Sequence, residues 1–168
     1  MSSFTSPLRY ADTGKRYRGR VVYRLTVAFS FDIGIAGSKL KIVVPQGFET
    51  DLASIPGWLK PWFPPDGPYA KAAVLHDWLY RTGLVERWMA DAIFYDAMRN
   101  PNLPKEHRVP MYYAYPVYKA VRVFGWFIYS PLLNPGAEHL DFPKLVTHMK
   151  DFRPMGGKVC VESMKKGA

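Results

Sequence analysis

Apolar and polar residues alternate with a period of two along residues 20–31. Val21, Tyr23, Leu25, Val27, Phe29 and Phe31 share one face, and Val22, Arg24, Thr26, Ala28 and Ser30 share the other. Successive side chains of an extended chain point to opposite sides, so this pattern predicts one half-buried strand. Gly34 and Gly37 supply a turn, residues 39–44 read as the returning strand, and residues 8–10 add a short third. Pro45 and Gly47 end the sheet. The period then changes. Tyr69, Ala72, Ala73, His76, Asp77 and Tyr80 recur at helical spacing, with Leu75, Trp78 and Leu79 on the opposite side. A helix apolar on both sides is buried, which places one over 69–82 with Gly83 as its C-terminal cap. A second helix is expected over 85–99, with Ala90, Ile93, Phe94 and Ala97 inward and Pro101 and Pro104 ending it. A third helical region, 105–129, is heavily aromatic, and Pro110 and Pro116 should kink or split it.

These elements define an α+β chain: a short antiparallel β-sheet followed by a helical hairpin, a kinked aromatic helix and an extended C-terminal tail. Residues 56–67 form a Trp- and Pro-rich connector between sheet and helices. The expected organisation is a basic amino-terminal arm or edge strand over 1–18, a single domain over 19–130 and the tail over 131–168.

Composition narrows the class. The chain has 168 residues, 48% of them hydrophobic and 15% aromatic, which excludes wholesale disorder. Its one cysteine, Cys160, excludes an internal disulfide and a cysteine-based zinc knuckle. Its start lacks a signal-peptide pattern, and no apolar run is long enough to predict a membrane span. The net charge of +9 is uneven. Residues 1–30 hold Arg9, Lys15, Arg16, Arg18, Arg20 and Arg24 against Asp12 alone. Arg9, Lys15, Arg16, Arg18 and Arg20 are therefore candidate contacts for nucleic acid, an anionic surface or an acidic protein. The plainer reading is a solvated edge strand whose charges prevent aggregation. No nucleic-acid-binding fingerprint accompanies the charge.

The candidate chemistry lies in the helical pair. If helices 69–82 and 85–99 fold back about a turn between Gly83 and Leu84, His76 and Asp91 each lie 7.5 residues from it and so meet at one height. Tyr80, four residues beyond His76, faces the same cluster. A carboxylate that fixes an imidazole's tautomer makes a general base, so His76, Asp91 and Tyr80 are the candidate catalytic residues. Asp77 points about 100° away around the helix. With Asp51 as a second carboxylate it is a candidate cation ligand. The alternative is structural: His76 a satisfied core histidine, Asp77 paired with Arg81 or tied to the loop that contains Thr50 and Ser54, and the whole cluster a lock.

Two resemblances bear on function. Thr50-Asp51-x-Ala53-Ser54-x-Pro56, Pro65-x-Gly67, Ala72-Ala73, His76-Asp77-x-Leu79-Tyr80 and Ala90-Asp91-x-x-Phe94 resemble an uncharacterised family of small phage and prophage proteins over residues 40–125. This resemblance implies a phage origin, and the leading expectation is a bacteriophage accessory or virion-associated structural protein, found in the virion or host cytoplasm. It would dock to other virion proteins through its arms, with self-association open and no cofactor required. A lower option is a packaging or ejection factor that contacts nucleic acid. Second, His76-Asp77-x-x-Tyr80 followed by Asp91 is similar to the catalytic helix pair of phospholipase A2. That likeness implies a small metal-assisted hydrolase acting on lipid or cell envelope, with His76 as base, Asp91 orienting it, Tyr80 in support and Asp77 holding calcium. Pro64-Pro65-Asp66-Gly67 stands where that family has a glycine-rich calcium loop.

Overall fold

The expected single strand over 20–31 is two strands in two different sheets. In the computed structural model, which describes residues 3–4, 6–17, 19–33, 41–51, 69–100, 103, 105 and 108–125, β1 is Ser3–Phe4, β2 Tyr10–Tyr17, β3 Arg20–Leu25, β4 Phe29–Asp32, β5 Lys41–Val44 and β6 Glu49–Thr50. One antiparallel sheet has the order β1-β4-β5 and the other β2-β3-β6. The chain turns a corner after Leu25. The Leu25 N–H donates to the Phe48 carbonyl, the Gly47 N–H donates to the Leu25 carbonyl, and the Thr26 N–H donates to the Arg9 carbonyl. These bonds hold Leu25 in the second sheet and release the next residues, so Val27 is 43% exposed rather than inward. Beyond the corner all four residues of β4 are buried, because β1 and β5 flank it and Phe29 and Phe31 enter the core. Alternation across the corner was therefore a coincidence of two short strands.

The other strands also shift. The third strand is not 8–10 but the longer β2, paired with β3 through Tyr10↔Leu25 and Tyr17↔Arg20, with an irregularity between Asp12 and Arg16. β6 adds Tyr23↔Thr50 and Arg24↔Glu49. Thr50 is thus a sheet residue, brought beside the helices by the strand that carries it.

Three helices follow: α1 Ala70–Thr82, α2 Arg87–Arg99 and α3 Met111–Phe124. α1 ends where expected, at Gly83, whose φ of 62° suits a residue without Cβ and whose N–H donates to the Leu79 carbonyl. The four residues from Gly83 to Glu86 turn the chain back, and α2 packs along α1. α3 is shorter than expected at its start. Pro110 precedes the first turn, its carbonyl accepting from the Tyr113 and Ala114 N–H groups. Pro116 does not split the helix. Its ring leaves the Tyr112 carbonyl without a helical donor, a cost reduced by the solvent around exposed Tyr112. The core joins Leu25, Phe29, Phe31, Ile42 and Val44 of the sheets to Leu75, Leu79, Met89, Ile93, Phe94 and Met98 of the hairpin. Small residues of α3, Ala114 and Val117, close it. Gly34, Gly37, the connector 56–67, Arg18, Ser54, the side chain of Arg20 and the tail 131–168 lie outside the described residues.

Candidate functional site

Asp91 sits in the middle of α2 with no exposed surface, facing both neighbouring helices. Its Oδ1 accepts from His76 Nε2 at 2.9 Å and from the Tyr80 hydroxyl at 2.5 Å, both on α1. Its Oδ2 accepts from Arg122 Nη1 of α3 at 2.9 Å, and Arg87 Nη1 lies at 3.9 Å. One carboxylate thus ties three helices together. His76, Tyr80 and Asp91 meet at one height because the α1–α2 link is short and nearly symmetric about Gly83 and Leu84.

The imidazole of His76 is 1% exposed and lies against the rings of Tyr80 and Phe94, with centroids 4.0 and 4.6 Å away. Asp91 only accepts, so the neutral ring carries its proton on Nε2. Nδ1 is then an acceptor, and it has no hydrogen-bond partner among the described residues. Burial alone would raise the Asp91 carboxyl. The bonds from His76, Tyr80 and Arg122 outweigh burial and hold it below its ordinary value. Burial, then the Asp91 charge, pushes the Tyr80 phenol far up, so it stays a donor.

A second cluster joins the sheet to α1. Thr50 Oγ1 donates to Asp77 Oδ2 at 2.6 Å, both side chains being buried. Arg81 Nη2 lies 3.2 Å from the same oxygen and 3.8 Å from Asp51 Oδ1, while its Nη1 donates to the Glu49 carbonyl at 3.0 Å. The guanidinium also lies over the Phe48 ring. Asp51, Asp77 and Thr50 therefore come together, with Arg81 in the position a cation would take between the two carboxylates. Among the described residues no group of three His, Cys, Asp or Glu side chains is spaced to hold a metal ion. Burial raises the Asp77 carboxyl, and Arg81 and Thr50 offset this only in part.

The two aspartates give opposite pH dependence. The folded Asp91 value is depressed, so its contribution is present above the unfolded value and is lost as pH falls through the folded one. The folded Asp77 value is raised, so its contribution is present at low pH and is lost as pH rises through that value. Urea unfolding between about pH 3 and 7 checks both. Asp91→Asn is expected to flatten the acid-side loss. Asp77→Asn is expected to remove the decline above the ordinary carboxyl range.

Of the basic candidates, Lys15 and its neighbour Arg24 both pair with Glu49, whose carboxyl the Arg24 and Lys15 bonds hold low. Arg9 and Arg16 are exposed and make no ion pair with a described residue. Sequence reasoning missed three members of the Asp91 cluster. Arg87 stands four residues before Asp91, a spacing that predicts contact on a helix. Arg122 gave no local signal, because only the packing of α3 on α2 brings it in. Gly125, which ends α3, is the third. A Cβ at Gly125 would overlap the Tyr80 hydroxyl, which is fixed on Asp91. Gly125→Ala is therefore expected to cost about 1–3 kcal/mol by forcing that phenol aside. Part of the loss should return in Gly125→Ala/Tyr80→Phe, measured by urea unfolding of all three variants.

A family described as protein of unknown function, DUF1353, matches residues 25–115, more than half of the chain. The chain belongs to the DUF1353 family. The DUF1353 segment contains His76, Tyr80, Asp91 and the Thr50–Asp77 cluster, but ends before Arg122 and Gly125. In this DUF1353 protein the Asp91 lock is thus completed from outside the matched segment. No curated protein and no solved structure matches the chain.

Proposed function

We propose that the chain is a bacteriophage accessory or virion-associated structural protein, a binding module that docks to other particle components through its basic amino-terminal strands. The observation that carries the structural reading is the closure of the Asp91 site. The carboxylate is fully buried on α2, and its three hydrogen-bond donors come from α1 and α3. Three donors around one carboxylate make a rigid tie between elements, and rigidity is what a docking scaffold needs. Among the described basic candidates, Arg9 and Arg16, beside and on β2, are exposed and stand ready to meet a partner. The phage assignment rests on the motifs from Thr50 to Phe94. Mass spectrometry of purified particles from an encoding phage tests it. The chain is expected in the particle at a fixed ratio to the other virion proteins, and its confinement to the lysate would contradict the reading.

A second reading, a small His–Asp hydrolase acting on lipid or cell envelope, is favoured by one observation. His76 Nδ1 is buried without a hydrogen-bond partner among the described residues, while Asp91 orients the opposite nitrogen. An imidazole held in this way has a lone pair available to take a proton from water. Asp77 and Asp51 would be its calcium ligands only if Arg81 moved away. In the third option the exposed arginines would meet nucleic acid during packaging or ejection; no observation here raises it above the first two.

A further inference from the structure

α3 is built the reverse way from an ordinary surface helix. Its buried positions, Ala114, Val117, Ala120 and Val121, are small or medium in size. At 100° per residue its outward arc runs through Met111, Tyr115, Lys119, Tyr112, Val123 and Pro116, with half-buried Arg122 between Met111 and Tyr115 reaching back to Asp91. Tyr112 is 72% and Val123 60% exposed, and Phe124 is exposed at the helix end. The sequence MYYAYPVYKAVRVF contains no Asp, Glu, Ser, Thr, Asn or Gln. A helix face turned to water is normally charged and polar, and a contiguous apolar face marks an interaction surface. The Lys119 ammonium stands within this arc, 5.5 Å from the centre of the Tyr115 ring.

We propose that the outward face of α3 seats on an anionic lipid surface. Tyrosine rings suit the headgroup level, where one end of the side chain is apolar and the other wet. Met111 and Val123 reach toward the acyl boundary, and Lys119 meets lipid phosphate. The helix lies along the surface. Fourteen residues span about 21 Å, short of the roughly 30 Å hydrocarbon core. No described helix is long and apolar enough to cross a membrane. Charge complementarity points to an anionic partner, since Lys119 stands on the exposed arc of a helix that has no acid and the whole chain is +9. Two features favour lipid over an acidic protein. Beyond its tyrosine hydroxyls, the arc has no uncharged polar side chain with which to read a protein surface. The sequence also stays free of charge from residue 123 to residue 137.

The test is co-sedimentation of the full chain with phosphatidylcholine vesicles, with and without phosphatidylglycerol, at low and high salt. Binding is expected to the phosphatidylglycerol vesicles and to weaken with salt. The triple variant Met111→Ser/Tyr112→Ser/Val123→Ser should bind about tenfold more weakly or worse at an unchanged Tm. If the triple variant does not fold, the single change Tyr112→Glu at its exposed position is expected to give the same loss. Arg16→Glu, on β2, removes charge elsewhere and should weaken binding far less than Lys119→Glu. No binding to either vesicle would overturn the proposal and leave the face to an acidic protein. Equal losses for Arg16→Glu and Lys119→Glu, with the triple variant unaffected, would also overturn it, because attraction would then be by net charge alone.

Discussion

Asp91→Ala is expected to cost about 3–5 kcal/mol, the largest effect of any single change in this protein. The reason is the number of groups that depend on one carboxylate. His76 Nε2 and the Tyr80 hydroxyl are buried and would lose their acceptor with no route to water. Arg122 and Arg87 are partly exposed and would turn outward at smaller cost. Against a typical net stability of about 5–15 kcal/mol, the loss approaches unfolding. Asp91→Asn keeps the volume and one acceptor, so it should cost less, about 1–3 kcal/mol. Chemical unfolding of the two variants beside wild type measures both. A change below about 1 kcal/mol for the alanine variant would show that the cluster holds nothing together.

His76→Ala should come next, at about 2–4 kcal/mol. It removes a donor from Asp91 and opens a cavity between the rings of Tyr80 and Phe94. The interior is packed there, and Leu75, Leu79 and Ile93 are too constrained to fill the space. His76→Gln fills part of it and supplies an N–H toward Asp91, so it should recover about half of the loss. The two variants should also couple non-additively with Asp91→Ala, because all of them break one network.

Local sequence carried the helical part of this structure well. The hairpin was legible because both of its periods are long and its turn is marked by Gly83, so simple counting brought His76, Tyr80 and Asp91 together. The link from Thr50 to Asp77 was legible only as a candidate tie, since nothing local says which strand will lie against α1. The sheets were harder to read. Alternation from Val21 to Phe31 is continuous across a corner that exists because Leu25 bonds to Gly47 and Phe48, more than twenty residues away. A period of two cannot reveal such a bond. Arg122 and Gly125 escaped for a related reason. Their roles come from the docking of α3 on the hairpin, and neither residue type signals a partner more than thirty positions back in the chain. α3 also misled by composition, since its aromatic Tyr112 and Phe124 are exposed while the small Ala114, Val117 and Ala120 fill the core.

The central claim is that the His76–Asp91–Tyr80–Arg122 cluster holds helices together and does no chemistry. Its most direct test is phospholipid-ester hydrolysis by the wild type and His76→Gln, with thermal unfolding of the same samples in the presence and absence of calcium. The account predicts no turnover by either protein, a lower Tm for the glutamine variant and no rise in Tm with calcium. Turnover by the wild type, abolished in a variant that melts at the wild-type temperature, would contradict it.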